Sequence, residues 1–474
     1  MSDGSRSGRK AAVAAATGRY LFAAVLLAAP WPYGANRPLA WSLLALALAV
    51  AILGAAIAGG LRGERLRPPA VVLGGFLALV AVVGWGILQA TPGLLPPDLA
   101  HPLWDAAAAA GLAVSPAVAV SPERTLDNTM RLLAYILAGA LAFLLGREER
   151  EARRLLHLLL AISTAQAVYG LLRLFAGLDV LPWVADAPRA ANNLSGSFVN
   201  RNHAATYLGL GFLAVLALVM ERIGPGPGEG DRRSLLRAFL DGLFGRRWYL
   251  PALLVLLGTA VLLTGSRGGF VSLLLATVFL LLMVHLATRP GRGPALATAG
   301  LLLAVGWILI ALGGDPVLER LLETEELDTG RLQIYGLALE MIGDRPWLGH
   351  GYGGFEPVFM LYRDPRFSLV FDRAHDTYLE HAVGLGLPAS LLLYAAMAAL
   401  FLHLTKGIFR RRRNRVFPLL ASAATVLVGL HALVDFSIQI PAVAVTYAAI
   451  LGVGLARAVP RDAPAPPPTA RRSR

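Results

Sequence analysis

Residues 371–388 of this 474-residue chain place two histidines, an arginine and several carboxylates directly before a long apolar run. His375 suits proton transfer near neutral pH, because an unperturbed histidine has a pKa of about 6.5. A histidine on a hydrated loop with no catalytic part is the alternative interpretation. His203, His350 and His381 are further candidates for the same role. The stretch therefore predicts proton transfer at the edge of an apolar helix.

Two arginines stand where apolar runs end. Thr264-Gly-Ser-Arg-Gly-Gly269 joins two apolar runs with almost no loop, so Arg267 is expected at a membrane–water boundary. Arg201, within Asn200-Arg-Asn-His203, begins another such run. An arginine at a boundary either extends to lipid headgroups or serves a function. Guanidinium binds phosphate bidentately and keeps its charge, so both arginines are candidate anion contacts.

A helix is predicted from about Gly330 to Ile342, with Thr329 as its cap. Arg331 falls in its first turn. This arginine either pairs with nearby carboxylates on the surface or adds its charge to the positive end of the helix and binds an anion. One apolar face of the helix is predicted to hold Leu332, Tyr335, Leu339 and Ile342.

The glycine run Gly349-His-Gly-Tyr-Gly-Gly354 follows that helix. Such a run offers backbone N–H groups to phosphate, but it more often forms only a turn. The chain has no cysteine, and its histidines show no HExxH or paired-ligand spacing. We therefore predict no metal site, no thiolate chemistry and no cofactor.

The elements that position these side chains are apolar helices. The chain is 56% hydrophobic and only 15% charged, whereas soluble domains carry about 25% charged residues. Uncharged runs such as 39–61 and 248–266 reach the roughly 20 residues that span a bilayer. The predicted fold class is an all-α, polytopic integral membrane protein with about twelve spans. These cover residues 20–34, 39–61, 69–90, 129–146, 155–176, 204–221, 249–264, 269–288, 294–313, 384–405, 416–434 and 440–457.

The orientation follows from the basic residues. With the N-terminus in the cytoplasm, 30 of the 43 lysines and arginines fall in cytoplasmic segments, as the positive-inside rule requires. Membrane topology thus explains the net charge of +13, and no nucleic-acid partner is predicted. The predicted regions are a cytoplasmic tail (1–19), nine spans (20–312), a large external loop (313–383), three spans (384–457) and a disordered basic cytoplasmic tail (458–474).

At these residues the sequence resembles the O-antigen ligase and polymerase superfamily of bacterial envelope glycosyltransferases. The resemblance covers most of residues 121–405. The stretches that carry it are GSFVNRNHAATYL (196–208), TGSRGGF (264–270), TGRLQIYGLALEMIGDRPWLGHGYGGFEP (329–357) and AHDTYLEHAVGLGLP (374–388).

The resemblance implies a metal-independent membrane glycosyltransferase of the general GT-C type, in the bacterial inner membrane with its site on the periplasmic face. Its donor would be an undecaprenyl-diphosphate-linked glycan. Ligases of the family transfer the glycan to lipid A–core, polymerases to a lipid-linked repeat unit, and other relatives to protein hydroxyls. These acceptors stay open here. A transporter or flippase is a further alternative, against which stand the few acidic residues within spans and the lack of an inverted repeat.

The resemblance also implies roles for named residues. Arg201 and Arg267 would hold the diphosphate and stabilise its charge as it leaves. His375 would take the proton of the attacking hydroxyl, in a single displacement that inverts the anomeric centre. Asp376 stands where many relatives have asparagine. The expected substrate contacts are Arg331, His203, Asn200, Ser266 and Tyr378.

Overall fold

The computed structural model of the chain describes residues 2–64, 66–179, 181, 193–223, 249–288, 325–365, 367, 370–411 and 414–458. In these ranges the regular elements are α-helices and short 3-10 turns, with no strand, which confirms the all-α class. The α-helices are α1 (Ser2–Ala28), α2 (Pro38–Leu61), α3 (Ala70–Ala90), α4 (Leu103–Ala109), α5 (Pro122–Gly146), α6 (Glu149–Ala176), α7 (Arg201–Ile223), α8 (Tyr249–Leu263), α9 (Arg267–Thr288), α10 (Glu325–Asp344), α11 (Phe355–Tyr362), α12 (Thr377–Leu385), α13 (Leu387–Arg410), α14 (Val416–His431) and α15 (Pro441–Ala458).

Within the described ranges, nine helices are long and apolar enough to cross a membrane: α1, α2, α3, α5, α6, α7, α9, α13 and α15. Two shorter apolar helices, α8 and α14, correspond to two more predicted spans. The predicted span 294–313 and the predicted tail 458–474, apart from Ala458, lie outside the described residues. In a bilayer each such helix satisfies its own backbone hydrogen bonds, so the chain is a polytopic membrane protein.

Two helices form the centre of the bundle. The apolar windows of α7 and α15 are 89% and 94% buried, against 22–56% for the other candidate spans. Helix α15 packs against α5 and α14, and α7 packs against α6, α8 and α14. Because α7 is enclosed, the residues at its first turn are held rigidly by neighbours on several sides.

The first predicted span, 20–34, is wrong in its bounds. Helix α1 begins at Ser2 and ends at Ala28, so the helix already includes residues 2–19 and stops before residue 34. Pro30 and Pro32 follow directly, and proline cannot donate the hydrogen bond that would continue a helix. The early part of α1 is also tied to the bundle, since Arg19 donates to the Glu151 carboxylate at 3.0 Å.

The predicted apolar face of α10, the helix of the predicted external loop, packs on the protein only in part, through Ile342. Helix α10 begins at Glu325, so Thr329 lies inside it and does not cap it. Leu332 and Leu339 are 66% and 59% exposed. The neighbouring stripe packs instead, against the aromatic residues of a small external core. Its buried members are Ile334, Leu337, Ala338 and Met341. The predicted face and the neighbouring one both have the spacing of one side of a helix. Which of them is buried depends on the residues that pack against the helix, and the spacing does not show this.

The described part of residues 325–383, named the external segment after its predicted location, is fixed to the bundle where the predicted tenth span begins. Gly386, at φ +77°, separates α12 from α13, so the predicted continuous span from 384 is broken there. A β-carbon on Gly386 would lie 2.5 Å from the Trp347 carbonyl oxygen. Glycine at this position therefore allows the loop to pass close to the helix. The Leu387 N–H also donates to the Pro346 carbonyl at 2.7 Å.

The two ends of the bundle differ in chemistry. Arg153 donates to both oxygens of Glu221 at 3.1 and 3.2 Å and to Asn414 at 2.9 Å. Arg457 joins the same end through Glu149. Glu221 ends α7 while Arg201 begins it, so about 30 Å of helix separates this basic end from the Arg201 end.

Candidate active site

Helices α7 and α9 begin side by side. A β-carbon on Gly269 would lie 2.7 Å from that of Ala205. Gly265, at φ +63°, turns the chain into α9. The Arg201 Nη1 atom lies 3.6 Å from where a β-carbon on Gly265 would sit. The structure therefore places the Arg201 guanidinium beside the turn that leads into Arg267.

Asn200 and Ser266 cap these two helices. The Asn200 Oδ1 atom accepts from the Asn202 N–H at 2.8 Å, and the Ser266 Oγ atom accepts from the Gly269 N–H at 3.2 Å. The structure thus gives both residues a capping role, and their contact with substrate stays a prediction. The two positive helix ends point into the same region as the two arginines.

His375 lies on a segment that is fixed against the connection between α14 and α15. The Thr377 Oγ1 atom donates to the Asp435 carbonyl at 2.9 Å, and its N–H donates to the Ala432 carbonyl at 2.8 Å. His375 has φ +56°, in the left-handed region. Non-glycine residues adopt that region rarely, often at functional positions.

Asp376 is the N-cap of α12. Its Oδ1 atom accepts from the N–H groups of Tyr378 and Leu379 at 2.8 and 2.9 Å. Burial raises the pKa of this carboxyl above its usual value. Asparagine caps a helix as well as aspartate does. Aspartate at position 376, where many relatives have asparagine, therefore supports the same helix start beside His375.

Phe436 connects the elements of the site. The rings of His203 and His375 meet its ring edge-on, with centroids 4.8 and 5.3 Å away. The Arg373 guanidinium lies over the same ring at 5.6 Å. His203 is only 5% exposed. The predicted histidines at 203 and 375 therefore come together across one aromatic side chain.

Asp435 is a member of the site that sequence reasoning missed. Its carboxylate is fully buried and accepts from the Asn202 side chain at 3.0 Å and from the Ser437 hydroxyl. The His203 Nε2 atom lies 3.9 Å from it. Burial raises the pKa of this carboxyl. The neighbouring His203 and His431 and the two hydrogen bonds together lower it by more, so the pKa of Asp435 lies below its usual value. One feature of the sequence could have indicated Asp435: it is the only carboxylate in the short connection between two apolar helices.

The turn before α9 also approaches this connection. A β-carbon on Gly268 would lie 2.7 Å from the Val434 side chain and 3.2 Å from the His431 ring. Three predicted segments, those of Arg201, Arg267 and His375, therefore surround residues 431–439.

Two of the alternative histidines, the half-buried His381 and the buried His350, have polar partners within the protein. The His381 Nδ1 atom lies 2.6 Å from the Tyr394 hydroxyl, and burial together with the charge of Arg373 lowers the pKa of His381 to about 4. His350 is fully buried and makes hydrogen-bond contacts with His101 and the Met341 carbonyl. Neither ring is placed to meet a substrate.

Tyr378 and Arg331 are further predicted contacts. The Tyr378 hydroxyl donates to the Gly429 carbonyl at 2.7 Å and so ties α12 to α14. The backbone of Arg331 lies in α10, but its side chain lies outside what the structure describes. The roles of both in substrate binding stay predictions.

The glycine run forms a packed turn. The N–H groups of Gly349, His350 and Gly351 donate to the carbonyls of Arg345, Val383 and Gly384. These donors are used within the protein, so the segment does not offer them to phosphate. Across the described ranges, no group of three or more histidine, aspartate or glutamate side chains could hold a metal ion.

Two arginines at helix N-termini and two histidines around Phe436 thus stand together in a bundle of membrane-spanning helices. Residues 252–394 match the family model described as O-antigen ligase. The predicted resemblance to the O-antigen ligase superfamily is confirmed over these residues, which include Arg267 and His375. Arg201, His203 and Asp435 lie outside the matched range. No curated protein matches the chain.

Proposed function

We propose that this protein transfers a glycan from an undecaprenyl-diphosphate donor to a hydroxyl of a lipid A–core or similar acceptor, on the periplasmic face of the bacterial inner membrane. The observation that carries the proposal is the meeting of three segments, those of Arg201, Arg267 and His375, around residues 431–439. The match to the O-antigen ligase family supports lipid-linked glycans as substrates.

The arginines account for diphosphate binding. Arg201 and Arg267 begin α7 and α9, so two guanidinium groups and two positive helix ends act on one region. Guanidinium forms paired, charge-assisted hydrogen bonds with phosphate oxygens. These groups stabilise the negative charge that develops on the leaving diphosphate, as metal ions do in other transferases.

His375 accounts for activation of the acceptor. Its ring takes the proton of the acceptor hydroxyl while the hydroxyl oxygen attacks the anomeric carbon. The bond from that carbon to the diphosphate oxygen breaks, and the diphosphate leaves with the electron pair. A single displacement inverts the anomeric centre, and no covalent intermediate forms.

The position of the arginines favours transfer over transport. A flippase needs a path of cationic groups through the bundle, whereas Arg201 and Arg267, the two arginines assigned to the diphosphate, lie at helix starts and not along such a path. A polymerase that joins O-antigen or exopolysaccharide repeats uses the same donor chemistry and differs only in the acceptor. A protein O-oligosaccharyltransferase likewise differs in the acceptor.

The direct test is transfer by the purified protein in nanodiscs, from an undecaprenyl-diphosphate glycan to lipid A–core, with EDTA present. We expect product with the inverted linkage. Loss of transfer that Mg²⁺ or Mn²⁺ restores would remove the metal-independent mechanism. Envelope glycolipids of a deletion strain separate the acceptors: a ligase defect leaves bare core and polymer on the lipid carrier, whereas a polymerase defect leaves core with one repeat.

A further inference from the structure

Arg131 is a charged residue within a membrane-spanning helix that the proposed mechanism does not use. It lies on α5, and its guanidinium stacks on the Trp41 ring, with 4.9 Å between its Cζ atom and the ring centroid. Its Nε atom is buried and has no hydrogen-bond partner. A buried N–H donor of a charged group costs free energy when nothing accepts its hydrogen bond.

Two further donors near Arg131 lack partners. The Trp41 side chain is 8% exposed and its Nε1 atom has no acceptor, and the Nε2 atom of Gln439 is likewise buried and unpartnered. Tyr135, one turn after Arg131, connects the group, because its hydroxyl donates to the Gln439 carbonyl at 3.2 Å. All three unpartnered atoms are N–H donors.

The charges nearby compensate Arg131 only in part. Asp127, one turn before it on α5, offsets part of its charge, whereas Arg373 adds a like charge. Arg373 itself donates to Gln439 at 2.8 Å and pairs with the buried carboxylate of Glu380 at 2.7 Å. A set of donors without matching acceptors fits a ligand that only accepts hydrogen bonds, which is an oxyanion.

We propose that Arg131, Trp41 and Gln439 form an oxyanion subsite that takes an acidic group, phosphate or carboxylate, of the glycan substrate. The subsite adjoins the candidate active site through Arg373, which lies over the Phe436 ring. It is built from α2, α5 and the connection before α15, whereas Arg201 and Arg267 come from α7 and α9. That the oxyanion belongs to the glycan rests on the proposed function, but the binding of an oxyanion does not.

The test is the thermal unfolding midpoint of the full-length protein in detergent, titrated with inorganic phosphate or with glucuronate at constant ionic strength. The background is Arg201→Gln with Arg267→Gln, which removes the first anion site. We expect the midpoint to rise with one probe or both, because a ligand that binds only the folded state stabilises it. Added Arg131→Leu should abolish the rise, and Trp41→Phe should weaken the apparent affinity by about tenfold, as expected for a lost hydrogen bond to a charged group.

The matched control is Arg124→Gln on the same helix, where the arginine pairs with Glu356 at the surface. It should leave the response unchanged. Without probes, Arg131→Leu should raise the midpoint, because an apolar residue replaces a charge that its neighbours compensate only in part. No response in the background protein, or an equal response after Arg131→Leu, overturns the subsite. A response in the background protein, together with no transfer by the wild-type protein, would instead refute the proposed function and leave the subsite standing.

Discussion

At the scale of single residues, the histidines of this protein differ in their surroundings. His375 is half-buried, held in a left-handed backbone conformation and packed on Phe436. The His381 ring is held by the Tyr394 hydroxyl, and the buried His350 ring is held by His101 and the Met341 carbonyl. Of these three, only His375 combines partial exposure with a position at the meeting point of the two arginine segments.

Replacement of His375 by alanine should reduce glycan transfer by roughly 10²- to 10⁴-fold, the usual cost of losing a general base. Expression and the unfolding midpoint should change little, because the helix cap is provided by Asp376. The rate per folded protein in the nanodisc assay measures this. His157→Ala, at the basic end of the bundle, is the control. Full turnover in a normally folded His375→Ala protein would make the base assignment wrong and turn attention to His203.

The Arg267→Lys variant keeps the charge but loses the planar pair of donors that binds a diphosphate. We expect turnover to fall at least ~10-fold, in line with the loss of a transition-state hydrogen bond. Arg62→Lys, on an exposed turn, is the matched control. If Arg267 only contacts lipid headgroups, lysine serves equally well and turnover stays close to wild type.

At the scale of elements, the site depends on how closely α7 and α9 approach. Gly269 lies against Ala205 and Ser266, and both arginines stand at the starts of these helices. A side chain at this contact would move the two helix ends apart. The spacing of the anion contacts is therefore set by a residue without a side chain.

Gly269→Ala should destabilise the protein by ~1–3 kcal/mol through overpacking and should lower turnover more than it lowers the amount of folded protein. Gly74→Ala on α3 is the control, since a β-carbon there meets nothing within 4 Å. Thermal unfolding and transfer rate are measured for both variants. Equal behaviour of the two would show that the close approach does not position the site.

The external segment is linked to the α3–α5 connection by a pair of histidines. The Leu103 N–H donates to the His101 Nδ1 atom, so the His101 Nε2 atom carries the proton and faces the His350 Nδ1 atom at 3.0 Å. The His350 Nε2 atom in turn donates to the Met341 carbonyl at 2.9 Å. This sequence of bonds is complete only when both rings are neutral.

Stability should therefore fall in mild acid. Burial, together with the charges of His350 and Arg345, lowers the pKa of His101 to about 4, whereas an unfolded histidine titrates near ~6.5. The contribution of His101 is complete above the unfolded pKa and is lost as pH falls from there toward the folded pKa. His101→Gln should show a smaller drop in unfolding midpoint between pH 7.5 and 5 than wild type. An unchanged drop contradicts this account, and His157→Gln is the control.

At the scale of the whole molecule, the two ends of the bundle carry different residues. The network of Arg153, Glu149, Glu221, Asn414 and Arg457 occupies one end. The starts of α7 and α9 and the external helices occupy the other. Three of the segments that the basic-residue count assigned to the cytoplasm, 147–154, 405–415 and the one that begins at Arg457, therefore meet in space at the residues described.

We expect reporter fusions at Asp328 and Asn414 to give opposite signals, periplasmic and cytoplasmic respectively. The reason is the excess of lysine and arginine in the segments assigned to the cytoplasm. Alkaline phosphatase and fluorescent protein fusions at both positions measure the orientation. Equal signals at the two positions would refute it.

The sequence by itself determined the membrane class, the helical fold and the positions of most helices. These follow from long uncharged runs, because a backbone in lipid has few ways to satisfy its hydrogen bonds. It also singled out Arg201, Arg267 and His375, because charged residues at the ends of apolar runs are costly and stand out. Proline marked the true end of α1, although the apolar pattern alone extended it.

Only the tertiary structure decided which stripe of α10 packs, that Asn200 and Ser266 act as caps, and that Asp435, Arg373 and Phe436 belong with the histidines. Residues 203, 375 and 436 are far apart in sequence and meet through helix packing, which a local pattern does not encode. The unsatisfied donors around Arg131 became visible for the same reason. The residue type shows which donors and acceptors a side chain has. Whether they find partners depends on the neighbours that the fold places around them.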